Sequence, residues 1–158
     1  MELKLDFKFD AAHRLMHHKG LCNNIHGHTW KVRVTLLSVA PIGKKDGMIA
    51  DFSILKDTFK PRIDYYFDHG LILNMDDKLA ALTLIDGPLF DFKVRLMEGE
   101  PTCENIAKQL FMDLLSNLNT RKQWSEVDYG VKLQSIQVWE SEKASAIYNS
   151  DDFMESIQ

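Results

Sequence analysis

Hydrophobic and polar residues alternate strictly near the start of the chain. Leu3, Leu5, Phe7 and Phe9 fall on one side and Lys4, Asp6, Lys8 and Asp10 on the other, which predicts a half-buried strand. The period returns from Thr29 to Leu36, with Trp30, Val32, Val34 and Leu36 facing one way and Lys31, Arg33 and Thr35 the other. Pro41, Gly43 and the run Lys44, Lys45, Asp46, Gly47 predict a turn leading into a short strand over 48–52. Ser53 is placed to cap a helix in which Leu55, Phe59, Ile63 and Tyr66 recur every three or four residues, and Pro61 is expected to kink or interrupt it. Pro101 and Thr102 open a second helix with one apolar stripe of Ile106, Leu110, Leu114 and Leu118. Between them, Phe92, Val94 and Leu96 alternate with Asp91, Lys93 and Arg95, so a hairpin-like insertion is expected over 75–100. Val131 and Leu133 share one parity while Ile136 and Val138 share the other, and a bulge near Gln134 or Ser135 would let all four face one core. The tail after Tyr148 is expected to fray. This order of elements predicts an α+β domain built on a largely antiparallel sheet.

Composition narrows the class without changing that picture. At 158 residues, 45% apolar and 27% charged, the chain fits a single globular domain rather than a disordered one. A net charge of −4, with no run of five basic residues, argues against direct nucleic-acid binding. No stretch of eighteen apolar residues occurs, and the N-terminus alternates where a signal peptide needs an apolar run, so no membrane partner and a cytoplasmic location are expected. Cys22 and Cys103 are read as free thiols of a reducing compartment.

Candidate chemistry emerges when the two strand parities are extended. Phe7 and Phe9 lead forward to Ala11 and His13, and Val32 and Trp30 lead back to His28 and His26, so three histidines fall on the apolar face. Inward imidazoles at the ends of two strands predict a three-nitrogen zinc site with an open fourth position, as catalysis requires. A lone inward histidine is more often bonded to backbone, but a His-Gly-His run with a third in phase points to a metal. Gly27 between two ligands suits a close backbone approach or a simple bulge. His17 and His18 lack the parity and are assigned to a solvated loop.

Cys22 is four residues before His26, either as fourth ligand of a closed structural site or as a thiol that metal and imidazole make a proton acceptor near neutral pH. Asp68 and His69 are a carboxylate and imidazole of the kind used in proton relays, although neighbours in an extended segment point to opposite sides. Glu140 shares the parity of Ile136 and Val138. It is either a solvated strand end or an inward carboxylate that needs a ligand with two parallel N–H donors, such as the amino-pyrimidinone edge of a pterin or guanine. Glu104 favours the second helix's N-terminus electrostatically, and Cys103 is read as a small buried hydrophobe. Arg14, Lys19 and Lys31 are basic residues near the histidines that could take an anion or simply be solvated.

Taken together, segments 9–15 (FDAAHRL), 22–28 (CNNIHGH) and 47–52 (GMIADF), Asp68 and His69 with Leu73 and Asn74, and segments 101–105 (PTCEN) and 138–141 (VWES) resemble the 6-pyruvoyl- and 6-carboxy-tetrahydropterin synthase family. They stand in the family's order and span nearly the whole chain. The resemblance implies the tunnelling fold, a four-stranded antiparallel sheet with two helices on one face, and a homohexamer of two trimers. It implies zinc on His13, His26 and His28, Cys22 with the relay pair Asp68 and His69 as catalytic groups, and Glu140, Thr102 and Glu104 as contacts to a pterin triphosphate. The three-residue gap Asn23, Asn24, Ile25 is similar to the bacterial 6-carboxy enzymes of queuosine biosynthesis, where 7,8-dihydroneopterin triphosphate becomes 6-carboxy-5,6,7,8-tetrahydropterin, acetaldehyde and triphosphate. Animal pyruvoyl enzymes usually have a longer gap. Two departures stand out: a longer segment between Asn74 and Pro101, and Ser141 where the family commonly has threonine.

Overall fold

The computed structural model describes residues 1–83, 92–125 and 130–156. β1 (Glu2–His13) and β2 (His26–Ser38) form an antiparallel pair in which Phe9 lies opposite Trp30, Ala11 opposite His28 and His13 opposite His26. Both strands run further than their strict alternation, so all three histidines lie inside the ladder. β5 (Val131–Ser141) adds antiparallel to β2, and β6 (Ala144–Asn149) adds antiparallel to β5. The β2–β5 register slips where Thr35 and Leu36 face Ser135 and Leu133. Gln134 is the extra residue, and the bulge turns Leu133, Ile136 and Val138 all into the core while Val131 packs at its edge.

The expected four antiparallel strands are a correction: the sheet has six strands in the order β4-β3-β1-β2-β5-β6, and it is mixed. β3 (Gly70–Asn74) pairs parallel with β1 through Ala11, Ala12 and His13, and β4 (Val94–Met97) pairs parallel with β3. A parallel neighbour cannot be reached by a tight turn. The 75–100 segment is therefore not a hairpin: it carries α2 (Lys78–Thr83) and then β4, and Asp91, part of the expected alternation, lies outside the described residues.

α1 (Phe52–Tyr66) and α3 (Cys103–Ser125) cover one face of the sheet. Leu55, Phe59 and Ile63 of α1 and Ile106, Leu110 and Leu114 of α3 join Phe7, Phe9, Trp30, Val32, Val34 and Val138 in one buried cluster. Asp51, not Ser53, caps α1: its carboxylate accepts from the Ser53 N–H at 2.7 Å and the Ser53 hydroxyl at 2.8 Å. No strand forms over 48–52, because the Gly43–Met48 turn runs directly into this cap. Pro61 sits on the exposed side of α1 and the helix continues through it, since the carbonyl freed by its missing N–H can bond water there. Beyond Tyr148 the chain forms α4 (Ser150–Ser156) instead of fraying. The Asn149 side chain accepts from the amides of Asp151 and Asp152, and Phe153 packs on Phe111 at 5.8 Å.

The opposite sheet face is polar. Arg33 donates two hydrogen bonds to Asp6 at 2.7 and 2.8 Å, and Lys31 and Arg33 lie over the Trp139 ring at 4.8 and 5.4 Å. The Arg33 hydrogen bonds hold the Asp6 carboxyl below its ordinary range.

Candidate metal centre

His13 ends β1 and is fully buried, while His26 and His28 begin β2 and are partly exposed. Trp30 forms the wall behind them. Its ring stands edge-on to His13 at 5.0 Å and to His28 at 5.4 Å, it stacks on Phe9 at 6.0 Å, and its Nε1 donates to the Ala11 carbonyl at 3.2 Å.

The hydrogen bonds fix which ring nitrogens carry protons. His13 Nδ1 lies 2.8 Å from the Pro101 carbonyl, and His26 Nδ1 lies 2.8 Å from the Asn24 carbonyl. A carbonyl can only accept, so each Nδ1 bears the proton and each Nε2 keeps a free lone pair, the arrangement that second-shell carbonyls impose on ligating histidines. His13 Nε2 and His28 Nε2 are buried and have no hydrogen-bond partner among the described residues. Burial holds His13 below the ordinary histidine pKa, which keeps its imidazole neutral and able to ligate.

A carboxylate completes the group. Glu140 Oε1 lies 3.4 Å from both His13 Nε2 and His28 Nε2, and the ligand atoms of His13, His26, His28 and Glu140 all fall within 4.8 Å of one another. A tetrahedral zinc with bonds of about 2.0–2.1 Å needs donors about 3.4 Å apart, which the two Glu140 contacts meet, while more widely spaced donors of the group would close in on the ion. Three imidazoles and one carboxylate also match zinc in ligand type. Glu140 as a metal donor is not foreseen by its inward parity alone. Its strand reaches the histidines because β5 pairs with β2, and Glu140 lies one residue past the Lys31–Trp139 pair at an irregularity between Trp139 and Ser141.

Cys22 stands apart from this cluster, so the closed three-histidine, one-cysteine arrangement is not what the chain brings together. The thiol is free and half-buried, on a short 3-10 turn (Leu21–Asn23) within the loop that joins His13 to His26. Asp68 and His69 do meet: His69 Nδ1 lies 2.8 Å from Asp68 Oδ2, while the Asp10 N–H donates to Asp68 Oδ1 at 2.9 Å. They overcome the opposite-sides rule because His69 takes a left-handed backbone with φ of 56°. Desolvation raises the Asp68 carboxyl, but the Asp10 amide and the His69 ring outweigh it and leave it below the ordinary carboxylate range. His69 and His28 line one pocket of about 440 Å³ with Ala12, Gly27, Thr29 and Gly70. Gly27 has no positive φ, and an added Cβ would meet the Ala11 carbonyl at 3.6 Å and Ala12 Cα at 3.9 Å, ordinary contact distances, so no close backbone approach requires glycine here.

Thr102 and Glu104 have local roles. Thr102 Oγ1 accepts from the Asn105 N–H at 3.4 Å as the cap of α3, and Glu104 is exposed in the first turn. The Cys103 thiol donates to the Val138 carbonyl at 2.9 Å, and burial raises its pKa. Of the basic candidates, Arg14 pairs with Asp77 at 3.1 Å and Lys31 with Asp6 at 3.3 Å, whereas Lys19 has no partner among the described residues. Neither cysteine is in a disulfide, and no described helix is long and apolar enough to cross a membrane.

The fold and this centre define an α+β protein whose sheet end gathers three imidazoles and a carboxylate suited to a divalent metal. A model of the 6-pyruvoyl tetrahydropterin synthase family matches residues 2–151, and the chain belongs to that family. The chain is similar to the 6-carboxy-5,6,7,8-tetrahydropterin synthase of Rickettsia conorii, with 36% identity over 111 residues that cover 70% of this chain and 78% of that protein. It is 29% identical to the Haemophilus influenzae protein of the same name over 141 residues, 89% of this chain and 92% of that one. Among solved structures, an uncharacterized protein from Wolinella succinogenes superposes with a TM-score of 0.72 at 24% identity, covering 95% of this chain and 98% of that one. The 6-pyruvoyl tetrahydropterin synthase of Caenorhabditis elegans gives 0.63 at 24% identity, covering 95% of each chain. Those two likenesses show the fold.

Proposed function

We propose that this chain is a zinc-dependent tetrahydropterin synthase, a lyase that converts 7,8-dihydroneopterin triphosphate and one water to 6-carboxy-5,6,7,8-tetrahydropterin, acetaldehyde and triphosphate. The observation that carries the metal part is the pair of buried Nε2 atoms on His13 and His28 that have no hydrogen-bond partner among the described residues and share only the Glu140 carboxylate at 3.4 Å, since unsatisfied buried acceptors are costly without an ion between them. The 6-carboxy product is supported by the names of the Rickettsia and Haemophilus relatives and by the three-residue gap between Cys22 and His26.

His13, His26 and His28 would hold the ion, which when bound lowers the pKa of the substrate's side-chain hydroxyls. The other steps belong to side chains. His69 Nδ1 is engaged by Asp68, so its Nε2 is the atom free to take or return a proton, and the ionised Asp68 stabilises the imidazolium that results. Cys22 is the second proton-moving group, on the loop between the two strands. Glu140 orients the pterin ring through its paired oxygens, which requires that its carboxylate turn from the imidazoles to the ring edge when substrate enters. Thr102 and Glu104 are the further substrate contacts that the family resemblance suggests, and Lys19 is the uncommitted cation for the triphosphate. A single domain assembled as a homohexamer of two trimers completes this reading.

The family's own description favours a second reaction, loss of triphosphate to a 6-pyruvoyl product without release of acetaldehyde. Incubation of the zinc-loaded chain with 7,8-dihydroneopterin triphosphate, with products identified by mass, separates the two. Acetaldehyde in one-to-one yield with triphosphate is expected. Triphosphate without acetaldehyde assigns the pyruvoyl reaction, and neither product sinks the enzymatic reading.

A further inference from the structure

The loop from Arg14 to Ile25 leaves one imidazole and returns to another, because His13 and His26 are opposite each other in the ladder. It carries Cys22, yet little of it is regular structure and Leu21 is 86% exposed. Besides the Arg14–Asp77 pair at 3.1 Å, one side chain distant in sequence ties it down. Glu100 Oε2 accepts from the Met16 N–H at 2.9 Å, and Glu100 Oε1 accepts from the His17 N–H at 3.1 Å and contacts His17 Nδ1 at 2.5 Å.

The grip passes on to the thiol's neighbours. The Met16 carbonyl accepts from Asn23 Nδ2 at 3.2 Å, Asn23 Oδ1 accepts from Arg14 at 2.9 Å, and the Leu15 N–H donates to the carbonyl of Cys22 itself at 2.9 Å. On its other side, Glu100 precedes Pro101, whose carbonyl accepts a hydrogen bond from His13 Nδ1. The backbone carbonyl of Glu100 is tied to the start of α3 by the Asn105 side chain at 2.9 Å and the Thr102 N–H at 2.7 Å. One short segment thus fixes the metal ligand His13 through its backbone and the Cys22 loop through its carboxylate.

We infer that Glu100 is a positioning residue that sets the Cys22 thiol relative to the three-histidine centre. The inference rests on Cys22 having the proton-transfer role proposed above. Glu100 need not touch substrate. Its carboxylate is half of a double anchor, and a carboxylate suits the task because it offers two acceptor oxygens to two successive amides.

The test uses the full zinc-loaded chain and its Glu100→Gln, Glu100→Ala, His17→Ala and Cys22→Ala variants. Four readouts are needed: bound zinc, kcat and KM, amide hydrogen exchange at Met16 and His17, and the rate of Cys22 alkylation by iodoacetamide resolved by peptide mass. Glu100→Ala should keep its zinc, because His13 is oriented by a backbone carbonyl, and lose roughly tenfold or more in kcat with little change in KM. Exchange at Met16 and His17 and alkylation of Cys22 should both accelerate. Glu100→Gln retains one acceptor oxygen and should fall between Glu100→Ala and the parent, which also supplies a variant that folds if the alanine form does not. His17→Ala removes only the ring contact and should lose less than Glu100→Ala. Unchanged kcat in Glu100→Ala overturns the inference, as does a fall in kcat with unaltered exchange and alkylation. If Cys22→Ala keeps full turnover, the catalytic reading itself has failed. The two failures are distinguishable, because exchange at Met16 and His17 reads the Glu100 anchor without reference to turnover.

Discussion

His13→Ala is expected to cut zinc affinity on the order of a hundredfold or more and to reduce turnover to background. Loss of a second-shell partner alone typically costs about 10–100-fold in metal affinity, and His13 is itself a donor. It is the only one of the three imidazoles that is fully buried, its Nδ1 donates to the Pro101 carbonyl, and its Nε2 has no hydrogen-bond partner among the described residues. The alanine variant removes that buried atom along with the ligand, so the metal-free chain should lose far less stability than the zinc-bound chain loses in metal affinity. Competition titration against a chromophoric chelator checks the affinity, and thermal unfolding with and without zinc checks the contrast. Equal zinc affinity in His13→Ala and the parent would remove this residue from the centre.

Trp30→Ala should destabilise the chain by about 3–5 kcal/mol, the usual cost of emptying a large buried aromatic site. At about 2–4 °C per kcal/mol for a domain of this size, Tm should drop by roughly 10 °C. Trp30 is 0% exposed, stacks on Phe9 and backs both His13 and His28. Its loss therefore opens a cavity and frees two ligands to rotate, so zinc affinity should fall together with stability. Trp139→Ala is the contrast. That ring lies on the polar face under Lys31 and Arg33, where cation–π contacts are worth about 1 kcal/mol, and its removal should leave zinc binding intact. Denaturant unfolding of the two variants measures the difference. Equal losses would mean that the two faces of the sheet are not the core and surface described above.

The sheet's centre is legible in the sequence because its residues repeat every second position over long runs. Phe7 and Phe9, Trp30 and Val32 announce a buried face, and continuing their parity along each strand reaches His13, His26 and His28. The bulge at Gln134 is legible too, because two parities in one strand cannot otherwise share a core. β3 and β6 are not. β3 is five residues, almost wholly buried in a parallel pairing, and so shows no alternation, while β6 has an edge position with no buried residue to mark its period. Sheet order is equally hidden, and with it the meeting of Glu140 with the imidazoles, since parity says which way a side chain faces but not which strand is its neighbour. The Asp68–His69 contact depends on one left-handed residue that a rule for extended chains excludes. Glu100 escapes notice for a similar reason, because its partners are backbone amides more than eighty positions away, and amides carry no sequence signature.

Zinc-edge X-ray absorption on the metal-loaded resting chain tests the three-histidine centre most directly. A first shell of nitrogen and oxygen only, at about 2.0–2.1 Å and with imidazole scattering from three histidines, is expected. A sulfur at about 2.3 Å would place Cys22 on the metal and contradict both the open centre and the thiol's role in moving protons.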